Sequence, residues 1–319
     1  MAEWLIEDGI GETRAVLVEG GRIVEARVEL KGVVPAGTVI AARLVNVGLS
    51  GRNAVARDES GQEYLLPYAP KGISEGRTLA IEVTRSVFPG TEPWKRPLAR
   101  ISEGVPQAIP PLADRLGGTL VAFPSPGDAL EQAGWSDLLD EARSGTVDFA
   151  GGSLRISPTP AMTLIDVDGA LPPDELALRG AAAAARTIAR LGIGGSIGID
   201  LPTTRGKAAR LAQDAALDAH LVPPFERTGV NGFGFVQIVR PRRGPSLVEL
   251  AQDSASFESR ALMRRAARST GAIRLAVHPA LIVAISADWL ERLGRQVGGT
   301  VTLRADPGLA MSGGHAEPT

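Results

Sequence analysis

The sequence of 319 residues contains no cysteine, which excludes disulfide bridges, zinc–thiolate sites and thiol catalysis together. Its three histidines, His220, His278 and His315, are too few and too scattered for a histidine-rich metal cluster. No apolar run reaches the ~20 residues that a membrane-spanning helix requires, and no basic segment followed by an apolar one marks a signal peptide. We therefore expect a cytoplasmic protein with neither zinc nor a membrane partner.

An excess of charge of one sign is also lacking, since the net charge is −2 and the pI is about 6.0. This balance gives no overall attraction to nucleic acid, although a local basic surface is compatible with it. Of the 34 basic residues only four are lysine. Arginine suits phosphate binding, but Ala, Gly, Pro and Arg are all plentiful, so a GC-rich coding bias explains the arginine content at least as well.

Short strand-like segments separated by glycine, proline and asparagine fill the first third of the chain. Residues 2–30 have the alternation of a β-meander with a turn at Gly20 and Gly21. Residues 32–102 have the strand spacing of a small OB-like barrel, and residues 103–118 are rich in Pro and Gly, as in a linker. The remaining chain alternates strand-like and helix-like segments, which predicts a mixed α/β fold class.

Two short apolar runs that end on carboxylates, at residues 162–169 and 198–202, are the most informative part of the sequence. An alanine-rich segment with helical spacing joins them, starting near Asp174 and ending at Gly192, so together they predict a parallel βαβ unit. Adjacent parallel strands would place Asp166 and Asp200 side by side, with Asp168 on the same face as Asp166 because strand side chains alternate.

Three carboxylates at one sheet edge repel each other unless a cation lies between them, and hard oxygen ligands suit Mg²⁺ or Mn²⁺. The pattern thus predicts a divalent-metal site. An Asp-x-Asp pair at a strand end is also common as a turn or capping element, so a structural role stays open.

Aromatic and basic residues in the barrel region are candidates for stacking bases and for contacting phosphates. The loop at residues 88–97 carries Trp94 beside Lys95 and Arg96, with Arg100 shortly after it. Tyr64, Tyr68 and Phe88 are further aromatic candidates, and for Tyr64 and Phe88 an ordinary core position is the alternative.

Basic residues also follow the acidic strands. Lys207 and Arg210 are three residues apart near the start of a helix predicted over residues 205–221, where Thr203 or Thr204 would be the N-cap, so they could hold a phosphate or form exposed surface. Arg240 and Arg242 follow a glycine-rich strand and could neutralise a polyanionic substrate beside the carboxylates.

The order of these segments resembles the bacterial ribonuclease E/G family of endoribonucleases. The match is specific at residues 162–168 and 194–200, and it continues at residues 231–234 and 245–247. In that family the two runs carry the aspartates that bind Mg²⁺, so the resemblance implies that Asp166 and Asp200 are metal ligands. Asp168 stands where the family usually has asparagine.

The resemblance also implies a domain order. It comprises an N-terminal hairpin of an RNase H-like part, an S1-like barrel inserted in that part, a linker, the remainder of the RNase H-like part, a catalytic metal-binding α/β domain and a small C-terminal α/β domain with a loose tail. These correspond to residues 1–31, 32–102, 103–118, 119–160, 161–250 and 251–319. The implied substrate is single-stranded RNA, such as an rRNA, tRNA or mRNA precursor.

Several features depart from the family pattern. The cysteines of its zinc link are absent after residues 245–247, so a zinc-linked tetramer is not expected, whereas a homodimer is compatible. The segment after the barrel is too short for a domain that senses a 5′ monophosphate. Leu65 stands where a stacking phenylalanine would be expected.

The leading hypothesis is therefore a Mg²⁺-dependent endoribonuclease in which water attacks the phosphodiester. Asp166 and Asp200 would bind the ion, and Asp168 would orient or deprotonate the water. A non-catalytic RNA-binding protein that keeps this fold is the alternative.

Overall fold

A computed structural model describes residues 2–69, 72–88, 94–124 and 127–319. The strands are β1 (Glu3–Asp8), β2 (Glu12–Glu19), β3 (Arg22–Leu30), β4 (Val39–Asn46), β5 (Arg52–Arg57), β6 (Glu63–Tyr68), β7 (Thr78–Arg85), β8 (Leu98–Ile101), β9 (Thr119–Val121), β10 (Thr146–Phe149), β11 (Gly152–Pro158), β12 (Thr163–Gly169), β13 (Gly195–Asp200), β14 (Glu226–Arg227), β15 (Phe235–Arg240), β16 (Ile273–Val277), β17 (Val301–Ala305) and β18 (His315–Pro318). The helices are α1 (Leu112–Leu116), α2 (Ala129–Gln132), α3 (Trp135–Ser144), α4 (Pro173–Arg190), α5 (Lys207–His220), α6 (Leu247–Gln252), α7 (Ser254–Ala266), α8 (Pro279–Ala284) and α9 (Ala287–Val297), with a 3₁₀ turn at Met311–Gly313.

The chain forms two compact units. The first contains Met1–Lys31, Leu112–Ser144 and Leu247–Thr319, and the second contains Gly32–Pro111 and Gly145–Ser246. Both mix helices with sheets, so the fold is of the mixed α/β kind, as the sequence predicts. No helix in the described part of the chain is both long and apolar enough to cross a bilayer.

The first unit has two sheets, in the strand orders β3-β2-β1-β9 and β17-β16-β18. The buried faces of β1 and β2 pack against α1 through Ile6, Ala15 and Leu112. The second sheet packs against α7, α8 and α9 around a core that includes Leu262 and Leu275.

The second unit begins with a closed barrel in the order β4-β5-β6-β8-β7. Its interior is filled by small and medium aliphatic side chains and one tyrosine, namely Ala42, Leu44, Ala54, Ala56, Tyr64, Leu66, Ile81, Val83 and Ala99. The sequence prediction of a small barrel in this part of the chain is confirmed.

A six-stranded sheet in the order β10-β11-β12-β13-β15-β14 forms the rest of the second unit. β12 and β13 are parallel neighbours joined by α4, so the predicted βαβ unit is present. β10 and β11 belong to this sheet, and the structure therefore groups residues 145–160 with the acidic strands rather than with residues 119–144.

α4 covers one face of the sheet and packs against β11, β12 and α5. Gly180 lies against Val167, where an added Cβ would come within 2.4 Å of a Val167 methyl carbon, so the close approach requires glycine. α4 begins after Pro172 without a side-chain cap, and Asp174 occupies its first turn instead of capping it. Carboxylates in a first turn still interact favourably with the helix dipole.

α5 begins at Lys207, two residues later than the sequence predicts, and follows Gly206 without a side-chain cap. Neither threonine caps it. Thr204 is buried and its hydroxyl accepts a hydrogen bond from Gln213 Nε2 at 2.9 Å, while the Thr203 hydroxyl donates to the Phe233 carbonyl at 3.1 Å.

Candidate functional site

The paired aspartates lie where the sequence pattern predicts them. In the parallel ladder Asp166 is the direct partner of Asp200, which is the last residue of β13. Neighbouring strands are ~4.8 Å apart, so the two carboxylates project side by side. Asp168 follows on the same face of β12, ~7 Å further along the strand.

Burial alternates along β12. Ile165 and Val167 are buried, whereas Asp166 and Asp168 are exposed on the other face of the sheet. On β13, Ile197 and Ile199 are buried in the same way, and Asp200 is exposed. The three carboxylates therefore share the solvent-facing side of the sheet, here called the acidic face.

The acidic face also carries a cation that sequence reasoning missed. Arg155 on β11 is the direct antiparallel partner of Asp166, and Phe235 on β15 is the partner of Asp200. One row across four strands is thus Arg155, Asp166, Asp200 and Phe235. The alternation within residues 152–158 was the signal that could have placed Arg155 on this face, but it needed the strand register as well.

Negative charge is concentrated around this row, and it affects the pKa of Asp166. Partial burial raises the pKa of Asp166 above its usual range, and the neighbouring Asp168 and Asp200 carboxylates raise it further. The Val167 N–H and the Arg155 guanidinium act in the opposite direction. Within the described residues no hydrogen bond or ion pair joins the Asp168 or Asp200 carboxylate to another group, unlike Asp128 and Asp253, whose side chains cap helices.

The donor set suits a hard divalent cation of the Mg²⁺ type, which commonly takes one or two carboxylates and completes its coordination with water and phosphate oxygens. No group of three or more His, Cys, Asp or Glu side chains in the described ranges is arranged to hold a metal by itself. Asp166 and Asp200 could supply two carboxylate ligands to such an ion.

The crowding of charge predicts a measurable cost to stability. Because the folded-state pKa of Asp166 is raised, the unfolded chain loses this proton at lower pH than the folded chain, and stability falls as pH rises through that window. In metal-free buffer at about pH 7, Asp166→Asn should raise the melting temperature by about 1–2 °C, since an exposed carboxylate contributes under about 1 kcal/mol.

Thermal melts at about pH 7 and at about pH 3 check this, because both states bind the proton at the lower pH and the gain should vanish there. Glu226→Gln is the matched control, since Glu226 is an exposed carboxylate on β14 of the same sheet. It pairs with Val239 of β15, and Val239 pairs in turn with Ser196, which is four residues from Asp200 along β13. An equal gain from both variants would contradict the assigned cause.

The basic residues of β15 and the segment after it lie away from the acidic row. β15 runs antiparallel to β13, so Arg240 pairs with Gly195, five residues and about 17 Å from the Phe235–Asp200 pair at ~3.4 Å per residue. Its guanidinium donates to the carbonyls of Ile193 and Val222 at 3.0 and 3.1 Å.

Arg242 stacks on the Phe88 ring, with its guanidinium carbon 4.0 Å from the ring centre. Its side chain also covers Gly195, where a Cβ would come within 2.9 Å of Arg242 Cδ. The structure thus places Arg240 and Arg242 in contacts within the second unit, away from the carboxylates that the sequence suggested they would flank.

Lys207 and Arg210 both lie in the first turn of α5, where Lys207 is exposed and Arg210 is half-buried. The segment that leads to them begins at Asp200 and passes Thr203. They are the predicted basic residues that follow the acidic row most directly along the chain.

The barrel candidates have different surroundings. Trp94 is 70% exposed, and Lys95 donates to the Pro160 carbonyl at 3.3 Å, which places the Lys95 amino group near the turn before β12. Arg96 is bonded to Glu63 at 2.8 Å and Arg100 to Glu82 at 2.7 Å, both in ion pairs at the barrel surface. Such exposed pairs contribute little to stability, so a phosphate could replace the carboxylate partner.

Two of the aromatic candidates are core residues, as the alternative predicted. Tyr64 is buried in the barrel interior and its hydroxyl donates to Asp58 at 2.9 Å. Phe88 is buried beneath Arg85 and Arg242. Tyr68 remains exposed, and residues 89–93 of the predicted contact loop lie outside the described residues.

Comparisons with known proteins do not assign this chain to a family. No protein-family model matches the sequence. No curated protein gives a significant match to it either.

Proposed function

We propose that this protein is a divalent-metal-dependent endoribonuclease that cleaves single-stranded RNA, with a fold of the ribonuclease E/G type. The observation that carries the proposal is the pairing of Asp166 with Asp200 on adjacent parallel strands, with Asp168 and Arg155 beside them on an open face. The Asp168 and Asp200 carboxylates, which have no hydrogen-bond or ion-pair partner among the described residues, suit ligand binding better than a capping role.

Asp166 and Asp200 would hold Mg²⁺ or Mn²⁺. When bound, the ion stabilises charge on the scissile phosphate and makes water more acidic, so that in-line attack on phosphorus becomes feasible. Asp168 projects on the same face and would orient the attacking water or accept its proton. The carboxylates alone would repel RNA, and Arg155 offers the charge that the phosphate requires.

The closed barrel would serve as an S1-like module that holds the strand, and the first unit would correspond to the RNase H-like and C-terminal parts of the family. Lys95 donates to the Pro160 carbonyl in the turn before β12, and its neighbour Trp94 is exposed. β12 begins at Thr163, three residues and about 10 Å from Asp166 at strand spacing. A single strand could stack on the barrel loop and reach the acidic face, because aromatic rings bind bases of any sequence.

The direct test is incubation of the purified chain with a 5′-labelled single-stranded RNA, with Mg²⁺ or with EDTA. We expect internal cleavage with Mg²⁺ and none with EDTA. Binding of the RNA without cleavage under either condition would instead favour a non-catalytic RNA-binding protein.

Arg155 provides a prediction that is specific to this geometry. Arg155→Ala should lower the single-turnover cleavage rate constant by about 10²-fold, the usual loss when one charged or hydrogen-bonding group that stabilises a transition state is removed. Arg155→Lys should recover part of this loss because it restores the charge without the planar fork.

Single-turnover cleavage of the labelled RNA measures the effect. Arg179→Ala is the matched control, because Arg179 is an exposed arginine on α4 that is bonded to Glu175. If Arg155→Ala and Arg179→Ala cleave at the same rate, Arg155 does not act on the phosphate.

A further inference from the structure

The turn that leads into β15 presents a phenylalanine to solvent. The side chain of Phe233 is 82% exposed, whereas Phe235, two residues later, lies over Gly198 on the acidic face. A large exposed apolar side chain forgoes the stabilisation that burial would provide, at roughly 25 cal/mol per Å².

The backbone of this turn is fixed by hydrogen bonds. The Asn231 side-chain oxygen accepts from the N–H groups of Phe233 and Phe235 at 2.9 and 3.1 Å. The Phe233 carbonyl accepts from the Thr203 hydroxyl, and the Leu201 N–H donates to the Gly234 carbonyl at 3.2 Å.

Glycine is required at position 234. Its φ of +92° lies in the left-handed region, and an added Cβ would come within 2.1 Å of the Leu201 carbonyl oxygen. The Phe233 ring is thus held out by a turn that is anchored on both sides and joined to the segment directly after Asp200.

The backbone that carries this ring is joined to segments with charged groups of both signs. Toward the acidic face, Phe235 is the cross-strand partner of Asp200. Toward α5, the segment bonded to Phe233 through Thr203 continues to Arg205 and Lys207, which are both exposed. A carboxylate, an aromatic ring and two cations thus lie on connected segments, and these are the kinds of group that would contact the phosphate and the base of one nucleotide unit.

We propose that Phe233 stacks on a nucleobase of the bound RNA next to the cleaved phosphate. The inference deepens the proposed function, on which it rests. A single ring with glycine, asparagine and charged neighbours suits stacking, whereas a stable protein interface needs a contiguous apolar patch of several hundred Å².

The test compares the binding of short fluorescein-labelled oligoribonucleotides in the full chain carrying Asp166→Asn, which keeps the RNA intact. Phe233→Ala should weaken binding by about 10-fold or more, while Phe233→Trp should keep it, because stacking needs a flat ring. Phe233→Leu should resemble Phe233→Ala. Val283→Ala in the first unit is the matched control, since Val283 is an apolar side chain that is 92% exposed.

A second arm replaces each nucleotide of the oligomer in turn by an abasic unit. At one position the abasic unit should remove the difference between Phe233 and Phe233→Ala, which identifies the stacked base. Equal binding by Phe233→Ala and Phe233, or full binding by Phe233→Leu, overturns the stacking.

The result for stacking by Phe233 can be separated from the result for RNA cleavage. If the unsubstituted chain binds RNA but does not cleave it with Mg²⁺, the nuclease proposal fails while the abasic series still decides the role of Phe233. If the chain does not bind RNA at all, both proposals are overturned.

Discussion

Asp166→Asn and Asp200→Asn will each lower Mg²⁺-dependent RNA cleavage by about 10³-fold or more, because a catalytic metal supplies several kcal/mol and each 1.36 kcal/mol is a factor of ten. The two residues are direct partners in the β12–β13 ladder, so each would supply one ligand to a single ion. Asparagine keeps the shape of the side chain but removes the charge that holds a hard cation.

Cleavage of 5′-labelled RNA under single-turnover conditions measures this loss, with Glu226→Gln as the control on the same sheet. Millimolar Mg²⁺ should also raise the melting temperature of the unsubstituted chain but not of Asp166→Asn, since a ligand that binds only the folded state stabilises it. Retained cleavage in either aspartate variant, or no Mg²⁺ effect on the melting temperature, would support a structural role for the pair.

Substitution of Asp168 by asparagine in the same experiment distinguishes two roles for this residue, orienting the attacking water and accepting its proton. Asparagine can still orient a water through its side-chain oxygen, but it cannot accept a proton near neutral pH. A variant Asp168→Asn that cleaves at a rate near that of the unsubstituted chain indicates orientation, whereas a loss as large as that of Asp166→Asn indicates proton transfer or metal binding.

The strand and helix elements around the acidic row were predictable because their signals are local. Alternating burial along β12 and the alanine-rich spacing of α4 define a βαβ unit, and a parallel pair necessarily aligns the two strand ends that carry Asp166 and Asp200. The register follows from the buried isoleucines, since a shift by one residue would expose them.

The charge environment of the row was less predictable because it depends on strand order and direction. Arg155 lies opposite Asp166 because β11 is the antiparallel neighbour of β12. Arg240 lies on β15, the neighbour of β13, but it pairs with Gly195 at the opposite end of β13 from Asp200, because the two strands are antiparallel. Sequence proximity to a strand does not reveal which end of that strand faces the site.

Contacts across long sequence separations had no local signal at all. Glu12 and Arg260 form an ion pair at 3.0 Å although 248 residues separate them. The exposure of Phe233 was likewise not predictable from the sequence, because an isolated phenylalanine near a strand is usually a core residue.

The first unit contains a buried ion pair whose disruption should have the largest effect on stability. Arg14 and Glu7 are each only 1% exposed, and Arg14 Nε donates to Glu7 Oε1 at 2.8 Å. The Arg14 guanidinium lies 4.9 Å from the centre of the Trp135 ring, and Asp128 is 3.7 Å away. Burial raises the pKa of Glu7, although Arg14 acts to lower it, so the carboxylate depends on its partner to stay charged.

Arg14→Met should therefore lower the free energy of unfolding by about 3–5 kcal/mol, the usual cost of leaving a buried charge without its partner. The double variant Glu7→Leu/Arg14→Met should recover most of the loss, because it removes both desolvation penalties and restores apolar packing. Urea unfolding followed by tryptophan fluorescence is a suitable measurement, since Trp4, Trp135 and Trp289 all belong to the first unit.

An exposed pair gives the contrast that assigns the effect to burial. Arg100→Met breaks the ion pair with Glu82 on the barrel surface and should cost under about 1 kcal/mol. The loss in Arg14→Met should also shrink as pH falls, because the orphaned Glu7 can then take up a proton and no longer bears a buried charge. A loss that is independent of pH, and no larger than that of Arg100→Met, would mean that the Glu7–Arg14 pair contributes packing alone.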